Sequence, residues 1–139
     1  MKNSFTWFGL LLAVLVITAC TNLVPTDSDI GTLKGTVSYR ERIVLPNNAR
    51  IVVSLVETAQ QDNMSSKVIS QHSFLAEGAQ PPVEFTLQYM KSKIQPDTSY
   101  RVVATIEVDD KLLFSNQSTK ALNIDPLTTT RVDIPLVKA

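Results

Sequence analysis

One cysteine, one histidine, one tryptophan and four glycines in 139 residues narrow the possibilities before any pattern is sought. The lone Cys20 has no partner for an intramolecular disulfide, so the folded part must be held by packing. The lone His72 has no second imidazole and no other thiol to join it in a site that needs three or four ligands, so a satisfied strand histidine is expected. Four glycines are too few for a phosphate-cradling loop, and no serine sits in a Gly-x-Ser-x-Gly elbow. Trp7, the single tryptophan, falls in the N-terminal apolar segment, which leaves the rest of the chain without the ring that sugar-binding faces favour. Charge of one sign is missing too: 13 basic and 13 acidic residues are interspersed, where nucleic acid asks for a basic face. These absences exclude the common enzyme signatures and leave no small-molecule substrate, metal or cofactor site in view.

What is present begins with "GLLLAVLVITACTN", Gly9 to Asn22. The uncharged run Phe8 to Ile17 would span roughly 15 Å as a helix, about half of a ~30 Å hydrocarbon core, so a membrane span is the weaker reading. A basic start at Lys2, an apolar centre and small residues at its end describe a secretory signal. Ile17-Thr18-Ala19-Cys20 resembles the bacterial lipoprotein box, with Ile17 in the usual Leu place and Thr18 in the usual Ala or Ser place. That resemblance implies a thiol alkylated by diacylglycerol, cleavage before Cys20 and acylation of the new amine. Residues 1–19 then form the signal peptide, and Cys20 is the lipid attachment site, its acyl chains (palmitate among them) mooring the protein to the membrane. Thr21, rather than Asp, follows the cysteine, which resembles outer-membrane retention with the domain facing the periplasm.

Residues 20–32 are polar, carry Pro25, and read as a tether. From 33 to 139 the period turns to two. Segments 33–39, 49–57, 67–75, 83–89, 100–108, 111–117 and 131–137 are rich in Val, Ile, Thr and aromatics, and turn residues separate most of them. The clearest, "VEFTLQY", places Val83, Phe85, Leu87 and Tyr89 inward. In 67–75 two inward sets remain open: Val68, Ser70, His72 and Phe74, or Ile69, Gln71, Ser73 and Leu75. Only "YMKSKIQ", 89–95, suggests a helical turn. About seven such strands predict an all-β, antiparallel two-sheet sandwich of immunoglobulin or fibronectin-III type. Tyr100, after the Pro96 turn, looks like the tyrosine corner of those folds. Asp109-Asp110 reads as a hairpin tip, and Pro135 predicts an edge position for the last strand. The formal sequons at Asn63 and Asn116 carry no meaning in a bacterial lipoprotein.

The blocks "GTVSYRERIVLPNNARIVVSLVE", "VISQHSF", "PPVEFTLQY" and "YRVVATIEVDDKLLFSN" resemble the YbaY/YscW-type bacterial lipoproteins. Gly35, Val37, Tyr39, Arg40, Glu41, Arg42, Leu45 and Pro46 stand at the family's recurring places, as do Phe85, Tyr89, Leu112, Phe114 and Asn116. The resemblance implies a small lipid-anchored β-sandwich with no enzymatic activity. It also implies, by analogy with type III secretion members, a chaperone or pilot (pilotin) for an envelope protein such as a secretin. The alternative is a passive structural or ligand-binding envelope module. Arg40, Glu41 and Arg42 are candidate partner-docking residues, against the simpler readings of a charged strand end or an arginine fork on Glu41. Strand addition at the edge near 131–137 offers a docking mechanism.

Overall fold

The computed structural model describes residues 29–58, 67–116 and 123–139. Eight strands follow in chain order: β1 (Ile30–Tyr39), β2 (Arg50–Thr58), β3 (Lys67–Leu75), β4 (Val83–Met90), β5 (Ser99–Val108), β6 (Lys111–Ser115), β7 (Asn123–Ile124) and β8 (Arg131–Lys138). A single 3₁₀ turn, Lys91–Lys93, links β4 to β5, where the helical turn is expected. β1 starts at Ile30, so the structured part takes in the last three residues assigned to the tether.

The period-two alternation produces the core directly, because successive strand residues point to opposite faces. Leu33 and Val37 of β1, Ile51, Val53 and Leu55 of β2, and Val83, Phe85, Leu87 and Tyr89 of β4 are all buried. So are Tyr100, Val102, Ala104 and Ile106 of β5, Phe114 of β6, and Val132, Ile134 and Leu136 of β8. Their alternating neighbours in β4 and β8 are exposed.

The layer arrangement differs from the expected two-sheet antiparallel sandwich. A single mixed sheet runs β3-β2-β5-β6-β8-β1-β4, with β7 beside β5, and it curls into a nearly closed barrel. The cause is β8. It lies parallel to β1 from Lys34↔Arg131 to Tyr39↔Leu136 and also pairs antiparallel with β6 at Phe114↔Lys138 and Ser115↔Val137. One strand thereby joins two halves that would otherwise face each other as separate sheets. The close approach of β8 requires Gly35, because a Cβ there would sit 1.7 Å from the Val132 carbonyl oxygen.

β8 is therefore not an edge, contrary to the expectation from Pro135. The proline is tolerated because β6 meets β8 only at 137–138, so one flank of Pro135 lies beyond the β6 ladder. The two ends of that path are β3 and β4, which meet across the last opening of the barrel.

Two local predictions match the structure. The Tyr100 hydroxyl accepts a 2.8 Å hydrogen bond from the Gln95 amide, which is the tyrosine corner. Asp109 and Asp110 adopt φ of 51° and 62°, the left-handed pair of a two-residue hairpin turn. Arg50 pairs with Asp110 at 3.2 Å and Asn48 donates to Asp109 at 2.9 Å, tying that tip to the start of β2.

Candidate functional site

Strand direction divides the barrel into two ends. β1 rises from Asp29 at one end, where the Asp29 carboxylate accepts bonds from the Ser92 amide at 3.0 Å and hydroxyl at 3.1 Å. Ten strand residues later, roughly 30 Å away, the chain enters the loop that holds Arg40, Glu41 and Arg42. The three predicted docking residues thus lie at the end of the barrel opposite Asp29.

That loop is held firmly from beneath. Tyr39 stacks on Phe114, with ring centroids 4.2 Å apart, and its hydroxyl donates to the Ile43 carbonyl at 2.6 Å. The Gln80 side chain accepts from the Leu45 amide at 2.9 Å and donates to the Leu45 carbonyl at 3.2 Å, as a neighbouring strand would. Leu45 and Ala49 are buried, whereas Ile43 is half exposed and Val44 is 77% exposed. Arg40 and Arg42 are exposed, and neither forms an ion pair with Glu41, so the arginine fork is absent. One Glu41 carboxylate oxygen is buried with no hydrogen-bond partner. Burial raises the Tyr39 pKa above its ordinary value, and the neighbouring Glu41 charge adds to the shift. The loop therefore presents two cations and two apolar side chains on a fixed base. Cys20 lies outside the described residues.

The second candidate region is the opening between β3 and β4. β2 and β3 keep the register Ile51↔Phe74, Val53↔His72 and Leu55↔Ser70, then shift between Leu55 and Val56. Residues opposite one another share a face, so Phe74, His72 and Ser70 look inward with the core residues of β2. His72 is nevertheless exposed, stacked on Phe74 at 5.3 Å, because no strand closes over it. The bulge also turns Ile69 inward, where it is buried. Across the gap stands β4. The Ser70 hydroxyl donates to the Gln88 carbonyl, the one hydrogen bond described between the two strands. Beside that bond two open clefts follow the seam. One, of ≈ 460 Å³, is lined by His72, Phe74, Leu75, Glu77, Glu84, Phe85 and Thr86. The other, of ≈ 420 Å³, is lined by Gln71, His72, Thr86, Leu87 and Gln88. The alternation of β4 marked its core face in the sequence, but nothing there marked its other flank as unpaired.

Buried Asn116 stands apart from both regions and has a structural task. Its side chain accepts from the Ala104 amide and donates to the Val102 carbonyl, both at 2.9 Å, extending the β5–β6 ladder past the end of β6. Among the described residues no three His, Cys, Asp or Glu side chains converge as metal ligands.

Comparisons with known proteins agree with this fold. The chain is 35% identical over 82 residues to an uncharacterized lipoprotein, YbaY, of Escherichia coli K12. That match covers 59% of this chain and 43% of the relative, so the chain spans less than half of that protein's length. An alternative pilotin from the type II secretion system of Vibrio cholerae superposes with a TM-score of 0.72 at 37% identity, covering 79% of this chain and 97% of the pilotin. Residues 28–136 match the family described as type III secretion system lipoprotein chaperone (YscW). With nearly the whole barrel inside that match, this chain belongs to the YscW lipoprotein chaperone family.

Proposed function

We propose that this chain is a lipid-anchored pilot that brings an outer-membrane secretin to its place of assembly. The observation that carries the proposal is the likeness to the Vibrio pilotin, which extends over almost all of that protein at 37% identity. Membership of a lipoprotein chaperone family supports the same reading.

In this proposal residues 1–19 are removed, Cys20 carries a diacylglycerol and an amide-linked acyl chain, and the residues between Cys20 and Asp29 form the tether. Each buried methylene contributes about 0.8 kcal/mol, and a single chain holds only reversibly, so several chains on one residue make a durable anchor. The nine residues from Cys20 to Ser28 can reach at most roughly 30 Å, which keeps the Asp29 end of the barrel near the bilayer. Arg40, Glu41 and Arg42, with Ile43 and Val44, then face away from the membrane, where a periplasmic partner can meet them.

A strain producing Cys20→Ala tests the proposal. Heat-resistant secretin multimers in the outer-membrane fraction should fall several-fold, and unassembled secretin should accumulate elsewhere in the envelope. Normal multimers in a strain lacking this chain altogether would overturn the pilot reading.

A further inference from the structure

We propose that the partner docks by lending one extended segment, which enters the β3–β4 seam and adds to β4 as a strand. The inference rests on the pilot reading and names the surface and the chemistry it uses.

Two separate hydrogen bonds fix the direction in which β4 presents its backbone. The Gln88 carbonyl accepts from Ser70 and so points into the seam. The Lys34 amide donates to the Thr130 carbonyl at 3.0 Å, on the β8 side of β1, so Lys34 points away from β4. Lys34 stands opposite Thr86 and Thr32 opposite Gln88 in the antiparallel β1–β4 register. Such registers alternate between pairs that exchange both backbone hydrogen bonds and pairs that exchange none. Thr32↔Gln88, Lys34↔Thr86 and Thr36↔Glu84 are therefore of the second kind. The N–H and C=O groups of Glu84, Thr86 and Gln88 face the seam, where Ser70 satisfies only one of them.

An open row of this kind is a template for a further strand, and stable proteins usually disarm it with lysine, proline or a bulge. β4 has none of the three: "VEFTLQYM" pairs with β1 without a register shift, and Glu84 is its one charge. The middle of the opposing strand offers little apolar surface to close the gap, since Ser70 and His72 occupy its inner face between Ile69 and Phe74. Because Ser70 reaches Gln88 directly, an arriving strand breaks that bond and moves β3 outward.

The lining specifies the arriving segment. Phe74, Leu75 and Phe85 give the wider cleft an apolar floor, while Glu77 and Glu84 are its only formally charged groups, with no Lys or Arg to balance them. An extended peptide alternates its side chains between two faces. The fitting segment places apolar residues inward and a lysine or arginine outward, opposite Glu84.

The test uses the full chain in detergent and, as probe, the purified full-length secretin of the same cell. Thr86→Pro removes an N–H that β1 does not use, and the residue before a proline favours extended backbone, so the variant keeps the fold. Its secretin affinity should fall roughly tenfold or more, since both a strand hydrogen bond and the space for the arriving backbone are lost. Glu84→Lys changes an exposed side chain and decides the matter should Thr86→Pro fail to fold. It should weaken binding by roughly threefold or more and flatten the salt dependence. Wild-type binding by a folded Thr86→Pro variant, or by Glu84→Lys, overturns the seam while leaving the pilot reading intact. A wild-type protein that binds no secretin overturns both. A self-dimer that Thr86→Pro abolishes would assign the seam to a second copy of this chain and overturn the partner segment.

Discussion

β1 and β3 belong to the same curled sheet and occupy opposite situations in it. β1 is laced to β4 on one side and to β8 on the other, with Leu33 and Val37 buried and Gly35 giving up its side chain so that β8 can approach. β3 is paired only with β2, and in register with the buried Val53 and Leu55 it carries His72 and Ser70. The difference teaches that backbone pairing alone does not close this barrel. A strand is drawn in where its inner face has apolar area to remove from water, and it stands off where that face is polar. The opening is thus written into two side chains of β3, beside a β4 whose own inner face is fully apolar.

The comparison can be broken or sharpened by substitution, with the largest effect at the laced strand. Gly35→Val drives a side chain into the Val132 carbonyl and forces β1 from β8. It should cost about 3 kcal/mol or more in denaturant unfolding, and an unchanged midpoint would mean that the parallel pair is not what closes this side. Asn116→Ala leaves the Val102 carbonyl and Ala104 amide without their side-chain partner in a buried place, and should cost about 2 kcal/mol by the same measurement. Tyr100→Phe removes only the bond from the Gln95 amide, at about 1 kcal/mol.

A pH titration reads the packing of the other two tyrosines. Burial raises the Tyr39 and Tyr89 pKa values, with the charges of Glu41 and Asp125 adding to the respective shifts. Below the ordinary tyrosine pKa near 10 both hydroxyls are protonated in folded and unfolded chains alike, and stability is unaffected. Above it the unfolded chain ionises first, so stability should fall as pH rises through the folded values. The double variant Tyr39→Phe, Tyr89→Phe should show a shallower fall, and an equally steep one would contradict the assignment. The smallest effect is expected at β3, with the opposite sign. His72→Val gives the open strand an apolar inner residue and should leave stability unchanged or raise it by about 0.5 kcal/mol. A loss above about 1 kcal/mol would show that His72 supports the native barrel.

Much of the core was legible because β4, β5 and β8 alternate cleanly, and the tyrosine corner and Asp109-Asp110 turn were legible because each rests on neighbours in sequence. The path of the sheet was not. Alternation tells which side chains share a face and says nothing about which strand lies beside which, so the parallel return of β8 was hidden and a sandwich was expected. β3 was ambiguous for a definite reason: the shift at Leu55/Val56 takes Ile69 from one inward set and Phe74 from the other. The charged triplet Arg40–Arg42 stood out by composition, whereas the seam is made of unpaired backbone, which no residue type announces.

Residue-resolved amide exchange, run with and without the secretin, tests the open seam most directly. In the free protein the amides of Glu84, Thr86 and Gln88 should exchange much faster than those of Phe85, Leu87 and Tyr89, which bond to β1. Added secretin should slow the first three selectively. Equal protection of both sets in the free protein, or secretin binding that leaves the first three fast, would contradict the account.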